Sequence, residues 1–393
     1  MRVLAVHNRY REAGGEDAVY SAETALLGRM GVEVVELVED NARLEGTHPL
    51  RAAVEAVWSR RSYRRVVELV RAARPDVAHF HNTFVRISPA AYWACREAGV
   101  PVVQTLHNYR LVCPGALLVR QGRVCEACLG RAVPWLGVMH GCWRGSRAGT
   151  GVVAAMLAAH RALGTWREKV DLYVALTEFA RQKLIEGGLP AERIVVKPNF
   201  VHPDPGPGDH GSGFALFAGR LSPEKGVRTL IAAWRHLPGI PLKVVGDGPL
   251  AGEMRAVAAL EGLRGVELLG RLPREEIFGL MRRARVLVFP SEWYEGFPLT
   301  LAEAFACGLP VVASGLGAVD EIVEDGRTGL LFEPGDPEDL AARIEWAWSH
   351  PEAMAAMGRE ARRVYELEYT AGRNHERLME IYALARERRG ATA

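Results

Sequence analysis

Short, fully apolar runs alternate with segments of helical period along almost the whole chain. Val286-Leu-Val-Phe-Pro290 is typical of these runs. It has no polar position on either side, as expected of a parallel strand buried on both faces. Similar runs are read at Arg2–His7, Val32–Val38, Pro75–Phe80, Val100–Leu106, Val170–Leu176 and Ile194–Lys197. After an interruption they resume at Phe214–Ala218, Leu242–Val245, Val266–Leu269 and Val311–Ala313. Helical patterns lie between them: about Asp17 to Met30 (closed by Gly31), Pro49–Arg74, Thr150–Trp166, Glu178–Glu186, Val227–His236, Arg274–Ala284, Glu338–Ser349 and Pro351–Tyr365. This alternation predicts an α/β fold with doubly wound parallel sheets. The interruption, Pro203–Gly213, is dense in Pro and Gly and marks a domain boundary. Two α/β domains are expected, 1–200 and 201–370, facing across a cleft. The last helix, within 371–393, is expected to join the first domain.

At 393 residues two domains are the natural division. A net charge of +2 gives no electrostatic case for nucleic acid. Basic residues are nearly all Arg, and Lys occurs only at 169, 183, 197, 225 and 243, so each Lys carries more information than an average Arg. The opening MRVLAVHN runs directly into a strand pattern, and no apolar run reaches 18 residues. Neither a signal peptide nor a transmembrane helix is therefore expected. A cytoplasmic location follows, in which cysteines are thiols or metal ligands more often than disulfides. Arg60, Arg61, Arg64 and Arg65 share one side of a helical region. They read either as a solvated face or as a docking face for anionic headgroups at the inner surface of the membrane. Cys113, Cys125, Cys128 and Cys142 fall in a loop-rich insert at about 110–145, with C-x-x-C at its centre. Their number matches a structural zinc site, with plain thiols as the alternative. Cys95 and Cys307 read as packing residues.

The richest chemistry follows the run at Val286. In SEWYEGFPLTLAEAFACGLP, a loop with Glu295 leads to a helix that starts at Pro298, holds Glu303 and stops at Gly308. A helix start offers unpaired N–H groups and partial positive charge, which suit phosphate. Carboxylates beside it suit hydroxyl donors. A ligand that is part phosphate and part polyol, such as a nucleotide sugar, fits both. Gly14-Gly15 follows the first strand and allows either close approach to a phosphate or a plain turn. His81-Asn82 and His107-Asn108 stand at strand ends, where α/β sheets place ligands. His79 and His81 read as structural, and His107 as functional.

Four motifs in order now resemble a known family. They are Gly219-Arg220 with Lys225-Gly226, then Gly246-Asp247-Gly248-Pro249, then Glu295-Gly-Phe-Pro-Leu-Thr-Leu-Ala-Glu303, then Gly308-Leu-Pro-Val-Val312. Together they resemble glycosyltransferase family 4, retaining sugar-nucleotide transferases of GT-B fold with two Rossmann-like domains. The resemblance implies that Arg220 and Lys225 contact the donor diphosphate, that Glu303 binds the ribose hydroxyls and that Glu295 binds the sugar. Backbone N–H groups of Gly296, Phe297 and Leu299, around Pro298, would face sugar and phosphate. The base would lie near Gly246, Asp247, Gly248, Arg271 and Leu272. Gly14 and Gly15 would approach the diphosphate, and His107 the transferred sugar. His107, Glu295, Arg220 and Lys225 are thus the catalytic candidates. The implied reaction takes a hexose-type sugar from a UDP-, GDP- or ADP-sugar to a glycan, lipid-linked or small-molecule acceptor. It needs no catalytic cofactor: the cations and the helix start take the place of Mg²⁺, no D-x-D pair stands in a suitable loop, and the leaving phosphate receives the acceptor proton in front-face attack. The competing readings are a GT-B epimerase or phosphorylase, the latter disfavoured by scarce Lys, and a non-catalytic sugar-nucleotide-binding protein.

Overall fold

The protein was analysed as a computed structural model that describes residues 1–10, 14–44, 48–211 and 213–391. Parts of the loop at Asn8–Glu16, the linker at Pro203–Gly213 and the tail of 371–393 lie outside the described residues. The chain divides into two compact units. One comprises Met1–Leu118, Cys125–Asn199 and Asn374–Ala393, and the other Val119–Val124 and Phe200–Arg373.

Among the described residues, the first unit is built on a six-stranded sheet. Its strands are β1 (Arg2–Arg9), β2 (Glu33–Asp40), β3 (Val77–Asn82), β4 (Val102–Thr105), β7 (Leu172–Ala175) and β8 (Ile194–Val196). Between β4 and β7 come two short paired strands, β5 (Val119–Arg120) and β6 (Arg123–Val124). The large sheet is ordered β2-β1-β3-β4-β7-β8 and every pairing is parallel. The second unit repeats the plan with β9 (Ala215–Ala218), β10 (Leu242–Val245), β11 (Val266–Gly270), β12 (Val286–Phe289), β13 (Val311–Ser314) and β14 (Gly329–Phe332). Their order is β11-β10-β9-β12-β13-β14, again all parallel. β9, β12 and β13 are buried at every residue, which explains their unbroken apolar sequence.

The expected elements differ from these in a few places. The helical pattern Pro49–Arg74 is two helices, Pro49–Val57 and Arg60–Ala73. Trp58 and Ser59 adopt extended backbone between them, and the Ser59 side chain caps the second helix at Ser62 N. The helix expected over Thr150–Trp166 runs from Arg147 to Ala162 instead. β14 is not among the expected strands: Gly329-Leu-Leu-Phe332 opens on a glycine, which carries no apolar side chain to mark a strand.

The helix Ala371–Ala391 completes the first unit. Leu378, Ile381, Tyr382 and Ala385 are buried with Val3, Leu27, Val77, Val103, Leu172 and Val174. Each large apolar side chain so covered contributes about 1.5–3 kcal/mol. The core of the second unit gathers Phe217, Leu230, Trp234, Val244, Val288 and Ile344.

Candidate functional site

In the second unit the chemistry-bearing loops follow the carboxyl ends of four adjacent strands, in the sheet order β11-β10-β9-β12. Arg220 and Lys225 follow β9, Gly246–Gly248 follow β10, Arg271 and Leu272 follow β11, and Glu295–Leu299 follow β12. Backbone bonds fasten these loops together. Gly219 N donates to Val245 O at 3.0 Å, Leu221 N to Asp247 O at 2.9 Å, Gly246 N to Gly270 O at 2.8 Å and Glu292 N to Glu224 O at 2.9 Å. Such close approach explains two glycines. Gly226 has φ +65° and a Cβ there would lie 1.7 Å from Pro290 O; Gly246 has φ +136° and would meet Gly219 O at 1.8 Å. Glu295 is buried, 5% exposed. Its Oε1 accepts from Lys225 Nζ at 2.6 Å and from Ser291 Oγ at 2.7 Å. Lys225 Nζ also lies 5.4 Å from the centre of the Trp293 ring and 5.7 Å from that of Phe289. The helix Leu299–Ala306 begins one residue after Pro298 and carries Glu303, whose Oε1 accepts from Arg274 Nε at 2.9 Å. Burial pushes the Glu303 carboxyl above its ordinary value and Arg274 opposes the rise. Arg271 and Asp247 are exposed and stand 3.9 Å apart.

In the first unit, Gly14 and Gly15 form the start of the helix Gly15–Arg29 beyond β1, and both are exposed. His81 and Asn82 close β3, and His107 and Asn108 follow β4. These two pairs line one small cavity with Glu16, Gln104 and Arg110. Behind it lies a buried polar cluster. Lys197 Nζ donates to Glu23 Oε2 at 2.9 Å and to Asn374 Oδ1 at 2.5 Å. His81 Nε2 and His79 Nδ1 stand 3.3 and 3.5 Å from Glu23 Oε1. His81 Nδ1 meets His107 Nε2 at 3.0 Å. His79 lies between Tyr382 OH and Thr105 Oγ1, each at 2.8 Å. Burial would raise the Glu23 carboxyl, yet Lys197 and the imidazoles hold it well below the ordinary range. Burial pushes His107 down, and neighbouring His81 adds to this. Burial also raises Glu16 to about 8, against the hydrogen bond from Tyr10.

Two family models cover most of the chain side by side: "Glycosyltransferase Family 4" over residues 25–205 and "Glycosyl transferases group 1" over residues 203–364. The chain belongs to the GT4-type glycosyltransferases. Among its relatives, D-rhamnosyltransferase WbpZ of Pseudomonas aeruginosa is 35% identical over 163 residues, 41% of this chain and 42% of that protein. The sulfoquinovosyl transferase SQD2 of Arabidopsis thaliana is 26% identical over 316 residues, 76% of this GT4-type chain and 54% of that protein. The chain spans less than half the length of the first relatives that it matches. The solved structure of Anabaena Alr3699/HepE in complex with UDP superposes with TM-score 0.70 at 19% identity, over 98% of this chain and 100% of that one. Sucrose-phosphate synthase from Thermosynechococcus elongatus gives 0.70 at 18%, over 98% of both chains. The fold of both units is thus the GT-B type, with two Rossmann-like parallel sheets.

Cys113, Cys125, Cys128 and Cys142 lie near one another, close enough that the other three help to raise the Cys128 thiol after burial, the larger cause. They do not fit zinc as they stand. Tetrahedral thiolates at about 2.3 Å from zinc leave their sulfurs about 3.8 Å apart. Among the described residues, the group of three or more ligating side chains with atoms within 4.8 Å of one another is Glu23, His79 and His81, and none of the four cysteines belongs to it. That trio is no better a metal site, because the Lys197 ammonium bonds Glu23 directly. Among neighbours of the site, Ser291, Trp293, Arg274, Glu16, Arg110 and Glu23 escaped the motifs. Glu23 and Lys197 are 174 residues apart, and no sequence pattern joins them. Ser291 and Trp293 lie inside the quoted stretch, and their nearness to Glu295 was the available signal.

Proposed function

We propose that this chain transfers a hexose-type sugar from a nucleotide-sugar donor, with retention, to a glycan, lipid-linked or small-molecule acceptor. The observation that carries the reading is the set of loops at the carboxyl ends of β9 to β12. They offer Arg220 and Lys225 for a diphosphate, with Glu295 in the loop after β12 and Glu303 on the helix that follows it for hydroxyl groups. Hydrogen bonding of Glu295 to Lys225 and Ser291 supports a role in orientation rather than as a nucleophile. On this reading Arg220, Lys225 and the N–H groups of Gly296, Phe297 and Leu299 stabilise the charge that grows on the leaving diphosphate. That charge then needs no bound metal, and the leaving oxygen takes the proton from the attacking hydroxyl. His107 bonds the transferred sugar, and Gly14 and Gly15 allow the diphosphate to approach the chain closely. Gly246, Asp247, Gly248, Arg271 and Leu272 hold the base. Two related structures support a UDP-type donor: Alr3699/HepE has been solved with UDP and with UDP-glucose. We place the protein in the cytoplasm. No helix among the described residues is long and apolar enough to cross a membrane, and any membrane contact would be peripheral, through the exposed Arg60, Arg61, Arg64 and Arg65.

Thermal shift and product analysis with UDP-, GDP- and ADP-sugars test this. One donor class should stabilise the protein and give a glycosylated acceptor with the anomeric configuration kept. A changed free sugar nucleotide would identify an epimerase instead. Stabilisation without any turnover across acceptor classes would leave a binding protein.

A further inference from the structure

The cluster behind His107 is costly unless it has a use. It buries an ammonium, a carboxylate and the two imidazoles of His79 and His81 behind the half-buried ring of His107. The cluster settles which nitrogen of His81 and of His107 carries the proton. Lys197, 1% exposed and bonded to Glu23 Oε2, keeps the carboxylate ionised. Glu23 Oε1 is buried with no hydrogen bond of ordinary geometry, and His81 Nε2 is the nitrogen that faces it most closely, at 3.3 Å against 3.5 Å for His79 Nδ1. A bare ring lone pair against a buried anion would be repulsive, so His81 carries its proton on Nε2. Its Nδ1 is then an acceptor. The His107 ring is tilted only 18° from the His81 ring, with centroids 5.3 Å apart and the two nitrogens at 3.0 Å. That is the disposition of an in-plane N–H···N bond, and the donor in it can only be His107 Nε2.

We propose that Lys197, Glu23 and His81 are positioning residues that hold His107 in its Nε2–H tautomer and present Nδ1 to the ligand as a hydrogen-bond acceptor. This rests on reading His107 as the residue that meets the transferred sugar. The chain runs from Lys197 after β8, through Glu23 on the helix Gly15–Arg29 and His81 at the end of β3, to His107 after β4. Neutral His107 is what the arrangement requires, and burial, then the His81 neighbour, favour the neutral form. A ring fixed in this way accepts from an O–H group and cannot donate from Nδ1. It therefore selects a hydroxyl at the facing position of the sugar and disfavours a carbonyl or carboxylate oxygen, which could only accept.

Nitrogen NMR on the full-length protein, labelled with nitrogen-15 histidine, reads the tautomer without reference to activity. The His107 signals are assigned by their loss in His107→Gln. At neutral to slightly alkaline pH, Nε2 should show the pyrrole-type shift and Nδ1 the pyridine-type shift. In His81→Phe the preference should collapse to a mixture. The double variant Glu23→Gln, Lys197→Met removes both buried charges together and should do the same. Pyrrole-type Nδ1 in the wild type, or an unchanged His107 in a folded His81→Phe, overturns the proposal. If both variants unfold, the wild-type spectrum decides. In turnover, His81→Phe should lower kcat by about tenfold, which corresponds to about 1.4 kcal/mol of transition-state stabilisation. Affinity for the nucleoside diphosphate alone should stay unchanged, and an equal loss in both would overturn positioning. Should the wild-type protein transfer no sugar, the function reading fails, while the tautomer result still stands or falls on its own spectrum.

Discussion

Lys225 sits where two demands meet, beside a buried carboxylate and in the loop proposed to receive a diphosphate. Removing it should affect both. A charge-assisted hydrogen bond is worth about 1.5–3 kcal/mol, and about 1.4 kcal/mol is a factor of ten. Lys225→Ala and Glu303→Ala are each expected to lower donor turnover at least about tenfold while circular dichroism stays native. Wild-type turnover in both would remove the site assignment. The loss in Lys225→Ala should also carry a lower melting temperature, because Glu295 is left buried without its cation. Glu303→Ala should spare stability, since its partner Arg274 is 42% exposed and can turn to water. Glu16 makes a different prediction. Its carboxyl is raised by burial to about 8, from 4.5 in the open chain. Between those values the folded state holds more protons than the unfolded state, so this group destabilises the protein progressively as pH rises through that window. Denaturant midpoints measured from pH 5 to 8 should fall with pH more steeply in the wild type than in Glu16→Gln.

The loops that build the second unit's site are held by backbone, and the tolerance of their glycines follows. Gly226→Ala and Gly246→Ala each put a Cβ onto a carbonyl oxygen at positive φ. Each should cost at least about 1–3 kcal/mol, read as a lowered denaturant midpoint. Gly239→Ala meets nothing within 4 Å and lacks positive φ, so it should leave the midpoint nearly unchanged. These elements also show what could be read from sequence. Fully buried strands such as β9, β12 and β13 declare themselves by unbroken apolar runs, and their order then fixes where the loops gather. Gly226 and Gly246 were visible as glycines, although their contact partners at Pro290 and Gly219 were not. Ion pairs such as Glu23 with Lys197 depend on which side chains meet across a finished core. Arg274 with Glu303 is of the same kind, joining two helices 29 residues apart. Pattern and periodicity cannot report such meetings. The cysteine insert shows the reverse case. Stoichiometry was legible, but sulfur-to-sulfur spacing is a property of the folded loop.

At the scale of the molecule, the first unit is assembled from pieces far apart in sequence, while most of the second is one run from Phe200 to Arg373. Leu378 and Tyr382 are fully buried in the first unit's core, and Asn374 completes the bonding of Lys197. Ending the chain after Arg373 should therefore injure one unit selectively. Calorimetry is expected to show a transition from the first unit shifted down or lost, with that of the second nearly unmoved; equal loss of both would mean that the helix supports them alike. The same arrangement bears on synthesis. Chains emerge from the ribosome amino end first, and domains fold as units once their residues are available. The unit that begins first therefore finishes last. Its sheet can form early, but the side of β1, β3, β4 and β7 that Leu378 and Tyr382 cover stays open until residues 374–391 arrive. During that interval the nascent protein presents an apolar surface for holding chaperones, and shortened translation products carry it permanently, which marks them for degradation.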